Sequence, residues 1–179
     1  MQIYHWEWFA GVAVLHGKGG AGDVPPLHLP NDGDDGQWHF YAFTWDGLIL
    51  LHDSGYWKAY GNPEGYRLVD DALRKYHFDE HYRMIPYWNQ TIVKLPEKVY
   101  GSFYVHDGAR RVLLVLLNNN DQDRALRLPL DWRALGFTDP RRLRVDDALF
   151  HEAVRIEDGV LVTPIGRANR RLLAIEETP

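Results

Sequence analysis

The chain has 179 residues, 45% of them hydrophobic, and a formal net charge of -5 at pH 7; it is long enough for one domain or two small ones with a real core. Its mild acidity, with the arginines scattered among Asp and Glu, argues against nucleic acid as a partner, and the absence of cysteine excludes disulfides and thiolate chemistry. No apolar run reaches membrane-spanning length, and no charged segment leads an apolar one into a small-residue cleavage site, so no signal peptide is visible and the sequence does not name a compartment.

Seven Trp and ten Tyr are the unusual feature of the composition, and most of them fall before residue 105. Gln2 to Leu15 is aromatic and β-branched and reads as one or two strands broken at Gly11. His16 to Gln37 is a long loop rich in Gly, Pro and Asp; such loops inside a compact domain are usually functional or disordered. Trp38 to Trp45 fits either a strand or a short helix. Gly47 to His52 (GLILLH) reads as a buried strand ended by Asp53-Ser54-Gly55. The clearest helix follows. Asn62 can cap it, and Pro63 suits the first helical position, where its missing N–H costs nothing. Tyr66, Val69, Leu73 and Tyr76 then recur at helical spacing, and the helix should end near His77. Ile85 to Asn89 (IPYWN) looks like an extended connector.

From Lys98 the signals change to short strands: Lys98–Val105, Arg110–Leu117, Arg124–Leu128, Leu143–Asp147, Ala153–Ile156, Val160–Pro164 and Arg171–Ile175. The second contains six unbroken apolar residues, Val112 to Leu117, which fits a central strand covered on both faces. Asp107-Gly108 and Asp158-Gly159 are strong hairpin signals. Asp131 to Leu135 reads as one capped helical turn ended by Gly136. The expected fold is therefore of mixed α+β, multi-part type: an N-terminal α/β segment over residues 1–95, then a C-terminal antiparallel β-sandwich over 96–179, divided near Leu95-Pro96.

Three local patterns fail their chemistry. Gly17-Lys18-Gly19-Gly20-Ala21-Gly22 matches G-x-G-x-x-G, but Pro25-Pro26 forbid the helix that a nucleotide site needs. Asn31 to Gly36 would open a calcium loop only with Gly33 and Ala42 at positions that require oxygen ligands. His77 and His81 have a metal-pair spacing, but Phe78 stands where a metalloprotease helix carries Glu and no third ligand is identified. No metal and no cofactor are expected.

The last 80 or so residues resemble the all-β domain that follows the catalytic (β/α) barrel in many glycoside hydrolases. Val112–Asn120, Ala125–Leu130, Asp131–Leu135, Val145–Ala148, Asp158–Pro164 and Arg170–Ile175 carry the resemblance. The first half is similar to the tail of such a barrel, one ending in an "iPYW" segment, with Gly47–His52 as the last strand and Asn62–His77 as the last helix. The resemblance thus implies the C-terminal portion of a carbohydrate-active, glycoside-hydrolase-like protein. A closed barrel takes roughly 250 residues, and only about two strand–helix units fit before residue 95. The portion is expected to be catalytically incomplete by itself, and to need either a homo-oligomer or a missing N-terminal barrel portion. The alternative is a non-catalytic carbohydrate-binding or subunit-interaction module.

Within that resemblance His52-Asp53 is the dyad of most interest, because barrel active sites lie at strand C-termini. Glycoside hydrolysis needs two carboxyls about 5 to 9 Å apart. Asp53 is one candidate, and Glu7, between Trp6 and Trp8, is the other. Trp45, His52, Tyr56, Trp57 and Tyr60 are the candidate sugar contacts, since flat aromatic faces cover the apolar side of a pyranose. The competing readings are a strand-end turn for Asp53 and core packing for the aromatics.

Overall fold

The computed structural model describes residues 50–52, 63–167 and 169–178 and, within the helix that starts at Pro63, the side chains from Arg67 onward. The elements in order are α1 (Pro63–Lys75), β1 (Tyr82–Ile85), β2 (Val99–His106), β3 (Arg111–Asn118), β4 (Arg124–Leu128), a 3-10 turn (Pro140–Arg142), β5 (Leu143–Asp147), β6 (Arg155–Glu157), β7 (Val160–Ile165) and β8 (Arg170–Glu177). The strands form two open sheets, one in the order β1-β2-β3-β8-β5 and one in the order β4-β7-β6. Every pairing is antiparallel.

β3 is the middle strand of the larger sheet, hydrogen bonded to β2 and β8. Side chains alternate across a strand, so its apolar run feeds two cores. Val112, Leu114 and Leu116 join Phe103, Leu173 and Ile175 in a cluster with Leu126, Leu128, Leu161 and Ile165 of the smaller sheet. Leu113, Val115 and Leu117 join Tyr104, Leu172 and Ala174 in a second cluster on the other face, with Leu50, Leu51, Val69, Ala72 and Tyr76. All six apolar residues of β3 are essentially inaccessible. Each contributes about 1.5 to 3 kcal/mol of hydrophobic stabilisation, which is why this run tolerates no polar interruption.

Local chemistry sets the element ends. α1 starts at Pro63, as its fixed φ favours; Asn62 lies outside the described residues. It ends at Lys75, and His77 just beyond takes a left-handed φ of 50°. The Phe78 amide bonds back to the Leu73 carbonyl at 2.9 Å and the His77 amide to the Arg74 carbonyl at 3.2 Å, the paired closure of a Schellman motif. The Asp131 carboxylate accepts from the Arg133 and Ala134 amides, each at 3.1 Å. The turn it caps ends at Gly136, whose φ of 89° suits a residue without Cβ. Asp158 and Gly159, both at positive φ, make the two-residue link between β6 and β7, as an Asp-Gly type I′ turn requires.

All seven expected strands form, most with ends shifted by a residue or two. Two segments differ from expectation. Leu50 and Leu51 are helical and His52 follows in a turn, whereas Gly47–His52 was expected to be a strand; a short apolar run carries no periodicity that separates the two. Ile85 does not open an extended connector but closes β1, paired with Phe103, and residues 86–89 turn, with the Asn89 amide on the Pro86 carbonyl at 3.0 Å. β1 lies on the N-terminal side of the expected division at Leu95-Pro96 and is hydrogen bonded to β2 on its C-terminal side. The strands expected in Gln2–Leu15, the glycine loop and the Asn31–Gly36 turn lie outside the described residues.

Candidate functional site

Of the sequence-derived site residues, His52 is the one the structure describes. Asp53, Glu7, Trp45, Tyr56, Trp57 and Tyr60 lie outside the described residues. His52 is buried, at 5% exposure. It sits beside the turn after β1, against Tyr87 and Trp88, residues that the sequence reading placed in a connector and did not assign to a site. The signal was there: two adjacent large aromatics behind a proline, in a stretch with no helical or alternating period.

Strand β2 builds this corner. The Ser102 hydroxyl donates to the Leu51 carbonyl at 2.7 Å and accepts the Tyr87 amide at 3.0 Å. The Tyr104 hydroxyl donates to the Leu50 carbonyl. Both β2 side chains are buried. They anchor the segment before His52, and Ser102 also holds the start of the Tyr87-Trp88 turn. The imidazole then stacks on the Trp88 indole, with centroids 5.7 Å apart and planes 22° off parallel. Its edge meets Tyr87 at 5.4 Å and 88°. Tyr87 also packs edge-on against Trp88 and Tyr100, each at 5.1 Å. The Tyr87 hydroxyl lies 3.4 Å from His52 Nε2. Burial, with a smaller contribution from the Tyr100 phenol, pushes the Tyr87 phenol well above its ordinary range, so it stays neutral and available as a hydrogen-bond donor. Trp88 is 37% exposed.

The corner therefore presents one solvent-facing indole on a packed aromatic base. It supplies a stacking surface and hydrogen-bonding groups.

A second cluster of titratable groups lies at the C-terminal end of α1. A cavity of about 200 Å³ is lined by Lys75, Tyr76, Arg111, Arg144, Asp146, Ala174 and Glu176. The Asp146 carboxylate accepts from Lys75 at 2.8 Å and from Tyr76 at 2.7 Å, and Arg111 pairs with Glu176 at 2.5 Å. Burial by itself would raise the Asp146 carboxyl, but the Lys75 and Tyr76 hydrogen bonds and the nearby Lys75 and His151 charges outweigh it and hold the group below its ordinary value. The Asp146 bonds tie the end of α1 to β5, and the Arg111–Glu176 pair ties β3 to β8, which is a structural role. Asn118 is also structural: its amide donates to the Gln122 carbonyl at 2.9 Å and the Gly166 carbonyl at 2.8 Å. Among the described residues, no group of three or more His, Cys, Asp and Glu could hold a metal ion. His77 closes α1, and His81 stacks instead on His106 at 5.9 Å.

No family model matches the chain, and no curated protein does. Three solved structures are among those that the chain matches. A GH30 endoxylanase from Clostridium papyrosolvens C71 is 10% identical, covers 83% of this chain and 40% of its own, and superposes with a TM-score of 0.51. An Anoxybacillus α-amylase (11% identity, TM-score 0.46) covers 72% of this chain and 25% of its own. An α-amylase from Geobacillus thermoleovorans (10% identity, TM-score 0.46) covers 69% and 25%. The chain thus spans between a quarter and two fifths of the length of these proteins. The likeness to the endoxylanase is one of fold, and it agrees with the resemblance carried by the β-rich half of the sequence. Among the described residues no helix is long and apolar enough to cross a membrane.

Proposed function

We propose that this chain is the C-terminal portion of a carbohydrate-active, glycoside-hydrolase-like protein. The strands from β1 onward act in it as a β-sandwich accessory domain, and the residues before them are the end of a (β/α) barrel. The observation that carries this reading is the fold likeness to the endoxylanase over 83% of the chain. The shared core between the two sheets supports the sandwich. The helix α1 packed across the opposite face of the larger sheet supports a barrel remnant docked there. Sugar contact falls to Trp45, Tyr56, Trp57 and Tyr60, with the buried His52 as a supporting ring rather than a contact, and Asp53 and Glu7 are the candidate carboxyls. Hydrolysis needs two carboxyls at a fixed separation, and misplacement by an ångström costs about a hundredfold. The chain alone is therefore expected to bind oligosaccharides weakly and to turn them over poorly.

The test is a panel of xylo-, cello- and malto-oligosaccharides titrated against the full chain, with aryl glycosides assayed in parallel. Saturable binding without efficient turnover is expected. Strong turnover that disappears in Asp53→Asn would overturn the incompleteness and make Asp53 catalytic. Absence of binding to every sugar would overturn the carbohydrate reading.

A further inference from the structure

We propose that Trp88 is a stacking platform for one pyranose ring of a carbohydrate ligand, an extension that rests on the carbohydrate reading above. Three observations converge on it. First, Trp88 is, among the described residues, the exposed large hydrophobic side chain. An indole left in water is an unspent apolar surface. Second, it is held in a fixed orientation. His52 covers one face at 5.7 Å and Tyr87 abuts it edge-on at 5.1 Å. The Asn89 to Pro86 backbone bond closes the turn that carries it. Its support is buried: His52 is 5% exposed, and Ser102, which holds both the Leu51 carbonyl and the Tyr87 amide, is fully inaccessible. A ligand that stacks on its exposed surface therefore meets a ring already in place and loses little entropy in ordering it.

Third, the size and surroundings of the surface select its occupant. A stable protein interface buries about 800 Å² on each side, and one partly exposed indole offers a small fraction of that. A single sugar ring matches one indole face in area, and it carries hydroxyls around its rim that bond to water or to side chains such as the exposed Asn89 amide. Its axial C–H groups lie against the π-face, which is the electron-rich side of the ring. Trp88 therefore extends the candidate sugar contacts from the segment around His52 onto the turn after β1.

The experiment titrates xylohexaose, cellohexaose and maltohexaose into the full chain and into Trp88→Ala and Trp88→Phe, with melting curves for each protein. For the sugar that the wild type binds, Trp88→Ala should weaken affinity by about tenfold or more, the scale of one lost aromatic stacking contact. Trp88→Phe, which keeps a flat ring, should retain most of it. Wild-type affinity in a folded Trp88→Ala would overturn the platform and leave the carbohydrate reading standing. A wild type that binds none of the three would overturn both. Should Trp88→Ala fail to fold, N-bromosuccinimide oxidation of the wild type, read by peptide mass spectrometry, decides the point. Protection of Trp88 by saturating sugar is expected, and unchanged oxidation would refute the platform.

Discussion

The hydroxyl of Ser102 donates to the carbonyl of Leu51 at 2.7 Å, joining the middle of β2 to a segment far upstream in the chain. The same oxygen accepts the Tyr87 amide at 3.0 Å. One inaccessible side chain thus satisfies two backbone groups that flank the His52–Trp88 stack. Ser102→Ala leaves both without this partner at almost unchanged volume. It should cost about 1 to 3 kcal/mol, measured by urea unfolding. It should also raise the accessibility of Trp88 to a fluorescence quencher, because the turn loses its anchor. A loss below about half a kcal/mol would show that water replaces the hydroxyl.

Core truncation tests whether β3 serves two packed faces. Leu114 points toward the smaller sheet and Leu113 toward α1. Leu114→Ala and Leu113→Ala should each cost about 2 to 5 kcal/mol in chemical unfolding. A large loss for Leu114 with a negligible one for Leu113 would mean that the helix-facing side is not tightly packed.

The pH dependence of stability has a defined sign at Asp146. Its carboxyl is held below the ordinary value in the folded chain, because the Lys75 and Tyr76 hydrogen bonds outweigh the effect of burial. A depressed folded value means that the contribution is complete above the unfolded carboxyl's value of about 3.9 and is lost as pH falls through the lower folded value. The stability difference between the wild type and Asp146→Asn should therefore be flat near neutrality and shrink in acid. Thermal melts from pH 7 to pH 2 measure it. A difference that grows in acid would contradict the Lys75–Asp146 geometry.

Arg171 is a buried charge with two acidic neighbours. It is 2% exposed and lies 3.6 Å from the Asp147 carboxylate, itself 1% exposed, and it also pairs with the half-exposed Glu152. Arg171→Met removes the guanidinium beside the buried Asp147 and should cost about 3 to 5 kcal/mol. Asp147 keeps the Leu149 and Phe150 amides at 3.2 and 3.3 Å as partners. The double variant Arg171→Met with Asp147→Asn should recover part of the loss, and equal stability of the single and double variants would refute the charge argument.

Much of the β-rich half was legible in the sequence because its signals are local. Val112–Leu117 declares a strand with two buried faces, since neither side can carry a polar residue. Asp158-Gly159 declares its turn through the positive φ that both residues tolerate, and Asp131 declares its cap by a side chain that reaches its own backbone. What only the tertiary structure decided depends on partners distant in sequence. β1 is four residues long, with no alternation of its own, and it exists because Phe103 to His106 of β2 offer hydrogen bonds. Leu50 and Leu51 are helical although their apolar run suits either conformation, and Ser102 and Tyr104 hold their carbonyls from another strand. The division of the eight strands among the described residues between two sheets follows from long-range register. So does the meeting of His52 with Trp88, because no local pattern in a chain encodes which distant aromatic will lie against a given imidazole.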